Sequence, residues 1–580
     1  MTKIADTVRE LYKSCNIGHD HASSDYFMLI RKLVEKRKNE GEAWQKYIDQ
    51  VYILVMDEMV TTMARPRDQV TFGTSGWRGI LGKDLSVRSV SFVTAAIIEL
   101  YQVLDEEQGL ASFLGVSSLP EAQGRGCVVG FDNRFGGEIL AAAVIDVLVR
   151  AGFTVHYAGE STTGVLSAAM LELGAAFSIN LTPSHNPLEY GGFKYNAADA
   201  GPAASELTDR ITTNARRIIE SNASPLVNFG VPLPSPVQRT DILPFDALAS
   251  WKALVRRNVP VHGLDLDSIM HAFQENQDLC VVLDSVHGAS RLHVAPLFEG
   301  EAGGRLVHLR AKSDVTFGGI APEPSSVNMQ QVVETLQARA ERLKIGAIID
   351  PDGDRIRFTD GTVEISMNQF GAMAYHFLHE IKGRQGVVAK TVATSNLANA
   401  LALAFGEQVF EPRVGFKEFK PVIGQALVCF EESDGISVIG HTPEKDAYIG
   451  LLLAMDMVLT LDINLGEYLQ RIEKEFGAYY PDRGGLEVSA KGDELKDILQ
   501  GLEKYGVGAV VKVGAVEQRI AEVIDIDGRK MILEDGSWLM VRPSGTEPKV
   551  RFYVESRTAA GTGDLVQAAR AMLKEIGLLS

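Results

Sequence analysis

Ile345-Gly346-Ala347-Ile348-Ile349-Asp350-Pro351-Asp352-Gly353-Asp354 joins a short apolar run to a loop of alternating carboxylates. Such a run, ending at turn residues, reads as a buried strand of a parallel sheet that delivers its loop at the carboxyl end. The same pattern recurs at Cys127-Val128-Val129-Gly130-Phe131-Asp132, at Cys280-Val281-Val282-Leu283-Asp284 and at Gly386-Val387-Val388-Ala389-Lys390. Longer helical patterns separate these runs. The alternation predicts an α/β protein with three related units, and places the chemistry where strands end.

At 580 residues the chain exceeds what one core supports, and its length corresponds to about four domains. A hydrophobic content of 46% with 23% charged residues fits a globular enzyme and excludes disordered or fibrous classes. The formal charge of −18 argues against a nucleic-acid surface, so an anionic substrate requires a local basic site. Cys15, Cys127, Cys280 and Cys429 lie far apart without metal spacing, as expected of buried, reduced thiols. The opening MTKIADTVRELYKSC lacks the apolar core of a signal peptide, and the longest apolar stretch, Tyr448 to Leu461, is broken by Asp456. The expectation is a cytoplasmic protein with no membrane segment. Residues 1 to 65 carry apolar positions at helical spacing, such as Tyr26, Leu29, Ile30 and Leu33, and read as a helical extension without catalytic residues.

Four loops carry chemistry. Asp350, Asp352 and Asp354 can converge on one cation, and three carboxylates without His or Cys favour Mg²⁺ over Zn²⁺. An EF-hand is disfavoured by Pro351 and by Gly361 at the twelfth loop position. Thr182-Pro183-Ser184-His185-Asn186-Pro187 holds a serine between two prolines, which gives a nucleophile fixed geometry. No G-x-S-x-G elbow surrounds it, so acyl-transfer hydrolysis is disfavoured. Arg542-Pro543-Ser544-Gly545-Thr546 has the composition of a phosphate cradle, with Lys549 and Arg551 nearby. Glu431 and Ser433 can bind vicinal hydroxyls of a sugar. Any one of these loops could be an ordinary turn. Together they supply a nucleophilic hydroxyl, a metal cage, a polyol-binding pair and an oxyanion cradle, which is the equipment of phosphoryl transfer.

In this order the loops resemble the α-D-phosphohexomutase superfamily, and most of all its bacterial phosphoglucomutases. The resemblance runs from about Thr71 to the C-terminus. It includes Thr71-Phe72-Gly73-Thr74-Ser75-Gly76-Trp77-Arg78-Gly79, the segment Ser184 to Asn196 with Lys194, and Val414-Gly415-Phe416-Lys417. It implies three similar α/β domains with mixed sheets and a smaller C-terminal α+β domain around a central cleft, behind the helical extension. The expected boundaries are 1–65, 66–240, 241–358, 359–482 and 483–580.

The implied reaction interconverts glucose 1-phosphate and glucose 6-phosphate through a phosphoserine at Ser184 and a glucose 1,6-bisphosphate intermediate. Ser184 with Asp350, Asp352 and Asp354 would hold Mg²⁺. Lys194 and His185 are the implied acid–base or charge-stabilising groups, and Arg78 and Arg355 surround the phosphoserine. Glu431, Ser433, Lys417 and Lys445 would contact the sugar phosphate, while Arg542, Ser544, Gly545, Thr546 and Arg551 clamp the phosphate that is not transferred. The expected partners are small sugar phosphates, without nucleic acid or membrane, and the oligomeric state stays open. Two positions depart from the family pattern: Ala447 follows Lys445-Asp446 in place of glycine, and Asp434 follows the sugar-binding Glu431-Glu432-Ser433. Glu432 matches the phosphoglucomutases, whereas amino-sugar enzymes favour Gln there. A mannose-phosphate or dual-specificity mutase, a silent sugar-phosphate-binding paralogue and a Mg²⁺-dependent phosphatase are the competing readings.

Overall fold

The computed structural model describes residues 2–579 apart from 19, 74–75, 230–231, 300–303, 491 and 545–548. The first sheet contains β1 (Trp77–Ile80), β2 (Cys127–Phe131), β3 (Val155–Glu160), β4 (Phe177–Leu181), β5 (Tyr190–Ala197) and β6 (Leu243–Pro244), in the order β1-β5-β4-β2-β3-β6. The second contains β7 (Leu279–Asp284), β8 (Leu306–Leu309), β9 (Leu343–Ile349), β10 (Ile356–Thr359) and β11 (Glu364–Ile365), in the order β11-β10-β9-β7-β8. In the third, β12 (Val388–Lys390), β13 (Val409–Phe410), β14 (Val428–Glu431) and β15 (Gly435–Val438) follow the order β13-β12-β14-β15.

These three sheets share one device. In each, a strand from the parallel core turns back antiparallel onto the next: β4 onto β5, β9 onto β10 and β14 onto β15. The turns of these three hairpins carry Ser184, the Asp350–Asp354 loop and the residues after Glu431. The three related units expected from the recurring apolar runs are therefore present, and each offers one equivalent loop to the same region.

The fourth sheet is antiparallel throughout: β16 (Tyr480–Glu487), β17 (Val510–Val513), β18 (Val516–Ile524), β19 (Arg529–Leu533), β20 (Trp538–Pro543) and β21 (Lys549–Ser556). The helix Ala559–Glu575 covers it, with Thr558 accepting from the Gly561 N–H as its cap. Cores follow this division only in part. One apolar cluster runs continuously through the second and third units, from Val281 and Ile345 to Phe430 and Leu451. A second joins the first unit to the amino-terminal helices, and a third fills the C-terminal domain.

Helices α1 (Thr2–Ser14), α2 (Tyr26–Glu40) and α3 (Gln45–Thr61) form the extension. Leu29, Ile30, Leu33, Ile48, Val51 and Val55 are fully buried against the first unit, as their helical spacing requires. All four cysteines are buried and unbridged. Among the described residues no single helix is long and apolar enough to cross a membrane. The bent pair Ala447–Leu461 and Leu465–Phe476 passes on composition, and most of Ala447–Leu461 is buried in the protein core.

Candidate active site

Ser184 adopts a left-handed backbone, φ +58°, a region that non-glycine residues occupy only when their surroundings hold them there. Thr182 Oγ1 accepts the Ser184 N–H at 2.9 Å and donates to Asp132 Oδ2 at 2.7 Å. The buried Arg134 guanidinium donates to the carbonyls of Ser184 (2.7 Å), Pro187 (2.6 Å) and Asn186. Burial pushes the Asp132 carboxyl up to about 6. The loop is thus gripped along its backbone, and the side chain is left to face the carboxylates.

Ser184 Oγ donates to Asp350 Oδ2 at 2.7 Å and lies 3.5 Å from Asp354 Oδ1. Asp350 Oδ1 accepts the N–H groups of Asp354 and Arg355 at 3.1 and 3.0 Å, which curls the loop and turns Oδ2 toward the serine. Gly353 makes this curl possible: its φ is +64°, and a Cβ there would lie 2.6 Å from Thr162 Cγ2. The loop is also tied to both neighbouring units, since Thr163 N–H donates to the Asp352 carbonyl at 2.8 Å and Ala447 N–H to the Gly353 carbonyl at 3.0 Å. Ala447 opens a helix capped by Asp446, so the departure from glycine is absorbed at a helix start.

Asp350, Asp352 and Asp354 are all buried, with a ligand oxygen of each within 4.8 Å of the others. Asp352 Oδ1 is buried without a hydrogen-bond partner among the described residues. An orphaned carboxylate oxygen beside two further carboxylates and a hydroxyl is an oxygen-only donor set, and it fits a hard divalent cation. Burial, then repulsion from Asp352 and Asp354, raises the Asp350 pKa well above the usual carboxyl range. Burial would raise Asp354 too, but Lys194, Lys445 and Arg355 hold it well below that range.

Those cations close the site. Lys194 Nζ lies 2.6 Å from Asp352 Oδ2 and 2.8 Å from Asp354 Oδ2; burial opposes its charge, but the two carboxylates outweigh it and raise its pKa. Lys194 stands on β5 opposite Asn180 of β4, so the hairpin register delivers it beside the serine loop. Lys445 Nζ bridges Asp354 Oδ2 at 3.3 Å and Glu431 Oε1 at 3.5 Å. Arg355 Nε lies 3.7 Å from Asp354 Oδ1, and burial with Arg355 beside it lowers the pKa of Arg78 on β1. His185 Nδ1 is 3.4 Å from Ser184 Oγ; burial, then Arg355 and Arg78, push its pKa well below the histidine range, so the ring is neutral at neutral pH.

The remaining expected residues are spread over the third and fourth units. Ser433 Oγ donates to Glu431 Oε1 at 2.8 Å, leaving the pair beside Lys445. Glu432, on which the distinction from amino-sugar enzymes rested, has its carboxylate taken up by Thr391 (2.9 Å) and Thr394 (3.3 Å). Asp434 pairs with Arg357 at 2.7 Å and has a left-handed backbone, φ +73°. It anchors the sugar hairpin to the second sheet. Lys417 donates to Ser205 Oγ of the first unit at 2.7 Å, away from the aspartates. Arg542 on β20 pairs with Asp527 at 3.0 Å and stands opposite Arg551 of β21, with Ser544 N–H on the Lys549 carbonyl at 2.8 Å. Of the quoted stretches, Thr74, Ser75, Gly545 and Thr546 lie outside the described residues. Sequence reasoning missed Thr163, which donates to Asp352 Oδ2 at 2.9 Å, and the Asp132–Arg134 support. The Asp-x-Arg just past β2 was the available signal.

Four models of the phosphoglucomutase/phosphomannomutase family match in order: alpha/beta/alpha domain I over residues 69–222, domain II over 265–363, domain III over 366–476 and the C-terminal domain over 489–572. The chain is 27% identical to a probable phosphoglucosamine mutase of Methanothermobacter thermautotrophicus over 510 residues, covering 87% of this chain and 98% of the relative. It is 26% identical to a phosphoglucomutase of Komagataeibacter xylinus over 552 residues, 88% and 91% of the two chains. A putative phosphomannomutase structure from Thermus thermophilus superposes with a TM-score of 0.68 at 23% identity, over 87% of this chain and 99% of that one. With all four domains present in sequence order, the chain belongs to the phosphoglucomutase/phosphomannomutase family, and it is a phosphohexomutase.

Proposed function

We propose that this phosphohexomutase interconverts glucose 1-phosphate and glucose 6-phosphate with Ser184 as the phosphoryl carrier. The observation that supports it most is the Ser184 hydroxyl, 2.7 Å from Asp350 inside a buried set of three carboxylates and flanked by Lys194, Lys445, Arg78 and Arg355. Phosphoryl transfer depends on positioning and charge neutralisation, and this arrangement provides both. In the first half-reaction the Ser184 Oγ–phosphorus bond breaks as the free sugar hydroxyl bonds phosphorus, and neutral His185, 3.4 Å from Ser184 Oγ, relays the hydroxyl proton to the departing Ser184 oxygen. The hydroxyl then carries the phosphoryl group and the sugar is a 1,6-bisphosphate. After it reorients, the other phosphoryl group returns to Ser184 Oγ. Lys194, held charged by its carboxylates, stabilises the reacting oxygens. Asp350, Asp352 and Asp354 would hold Mg²⁺, which supplies charge neutralisation at the phosphoryl group.

Glu431 with Ser433 accepts and donates to sugar hydroxyls, while Arg542 with Arg551 and Ser544 holds the phosphate not being transferred. Truncating Arg542 removes a charged contact made equally in ground and transition states, so the loss falls on KM. A contact of at least about 2 kcal/mol corresponds to roughly thirtyfold in KM. Arg542→Ala is expected to show that rise with kcat little changed, and an unchanged KM would move the clamp elsewhere.

A second reading, a phosphoglucosamine mutase, is favoured by two observations: Glu432 is engaged by Thr391 and Thr394, and the 27% identical relative is a probable phosphoglucosamine mutase. Coupled assays on glucose 1-phosphate, mannose 1-phosphate and glucosamine 1-phosphate side by side decide between them. The proposal expects the highest kcat/KM on glucose 1-phosphate, and a preference for glucosamine 1-phosphate contradicts it.

A further inference from the structure

Residues ahead of the first matched domain, which starts at residue 69, have no part in the reaction as described so far. Their middle helix nevertheless touches the serine loop directly at Glu189 and supports it a second time through a loop of the second unit. At the loop's far end, Glu189 is buried and pairs with Arg31 of α2. The other Glu189 carboxylate oxygen has no hydrogen-bond partner among the described residues, so this ion pair carries the side chain. The Glu189 carbonyl accepts the Leu81 N–H at 2.9 Å, which ties the same residue to the end of β1.

The second contact acts from below. Arg37 Nη2 donates to Asp314 Oδ2 at 3.1 Å and to Thr316 Oγ1 at 2.9 Å, in a loop of the second unit. That loop bonds back to Asn133: Ser313 Oγ donates to Asn133 Oδ1 at 2.8 Å, and Asn133 Nδ2 to the Asp314 carbonyl at 3.3 Å. Its Phe317 ring lies 4.9 Å from the Arg134 guanidinium, the group that holds the carbonyls of Ser184, Asn186 and Pro187. The packing is close. Gly319 has φ +72°, and a Cβ there would stand 2.5 Å from Val34 of α2, while Lys38 donates to the Gly319 carbonyl at 3.2 Å.

We infer that Arg31 and Arg37 of the amino-terminal helix α2 are positioning residues for phosphoryl transfer, holding the Ser184 loop through Glu189 and through the Phe317–Arg134 contact. The inference rests on Ser184 as the phosphoryl carrier. A hydroxyl displaced by about 1 Å can cost on the order of a hundredfold in rate without altering remote substrate contacts. The effect therefore belongs in kcat rather than KM. Arg31 is half-exposed, so its replacement leaves the core intact.

The test uses the full chain with Arg31→Gln, Arg37→Gln, the double variant and Arg31→Lys, assayed on glucose 1-phosphate with glucose 1,6-bisphosphate, together with intact mass for Ser184 phosphate. The double variant is expected to lose about tenfold or more in kcat with KM within about twofold of wild type. Arg31→Lys, which keeps the charge on Glu189, is expected to retain most of the activity. Lys36→Gln, on the same helix but paired with exposed Glu40 and lying over the Trp44 ring, away from the serine loop and the 313–319 loop, serves as the control at wild-type kcat. A phosphorylated double variant with wild-type kcat, or a loss confined to KM, overturns the inference while leaving the mutase reading in place. A wild type that never carries phosphate overturns both.

Discussion

Ser184→Ala gives a folded chain with turnover reduced to background. The hydroxyl lies in a loop, and its main bond is the one to Asp350, a carboxyl whose pKa burial has already raised. Losing that bond costs about 1–3 kcal/mol at most, small against the cores that hold each unit together. The chemistry has no such reserve: without Oγ no covalent phosphoryl carrier exists, and neither neighbouring Thr182, engaged with Asp132, nor His185 can take its place in the carboxylate cluster. The check is a coupled mutase assay beside a thermal melt. Near-wild-type activity in a folded Ser184→Ala chain contradicts the phosphoserine mechanism.

Asp352→Asn is expected to lower kcat by about a hundredfold and to weaken divalent-cation binding by tenfold or more, the loss of one charge from a three-carboxylate site. Lys194 keeps its 2.8 Å partner in Asp354, and Thr163 can still donate to the amide oxygen, so the loop stays in place. Relief of repulsion among three buried carboxylates works in the same direction for stability. Calorimetric titration with Mg²⁺ reads the binding without any substrate present. If wild type and variant bind Mg²⁺ equally, or if chelation leaves wild-type turnover unchanged, the assignment of the metal to these aspartates is wrong.

The loops were legible because chemistry restricts their residues. Alternating aspartates, a proline-flanked serine and an Arg-Ser-Gly-Thr turn are poor choices for packing and good ones for phosphate. The strands before them were legible because buried parallel strands read as apolar runs, as in β2, β7 and Ile345 to Ile349 of β9. What binds one unit to another was not. Thr163 reaches Asp352 across 189 positions, and Asp434 reaches Arg357 across 77. Neither pairing has a local signature. The sugar hairpin shows the limit most clearly: Glu431, Glu432 and Ser433 are adjacent in sequence, yet strand alternation and the left-handed Asp434 separate Glu431, beside Lys445, from Glu432, held by two threonines. The C-terminal helix begins at Ala559, ahead of its first buried apolar residue, Leu565, because the Thr558 cap starts it before its apolar face does.

Whether Ser184 carries phosphate is the central question, and the mass of the intact purified chain answers it most directly. The account predicts a chain heavier by one phosphate, or brought to that mass by glucose 1,6-bisphosphate, with the group at Ser184 on peptide mapping and absent from Ser184→Ala. A wild-type chain that stays at its unmodified mass after incubation with the bisphosphate and Mg²⁺, while still turning over sugar phosphate, contradicts it.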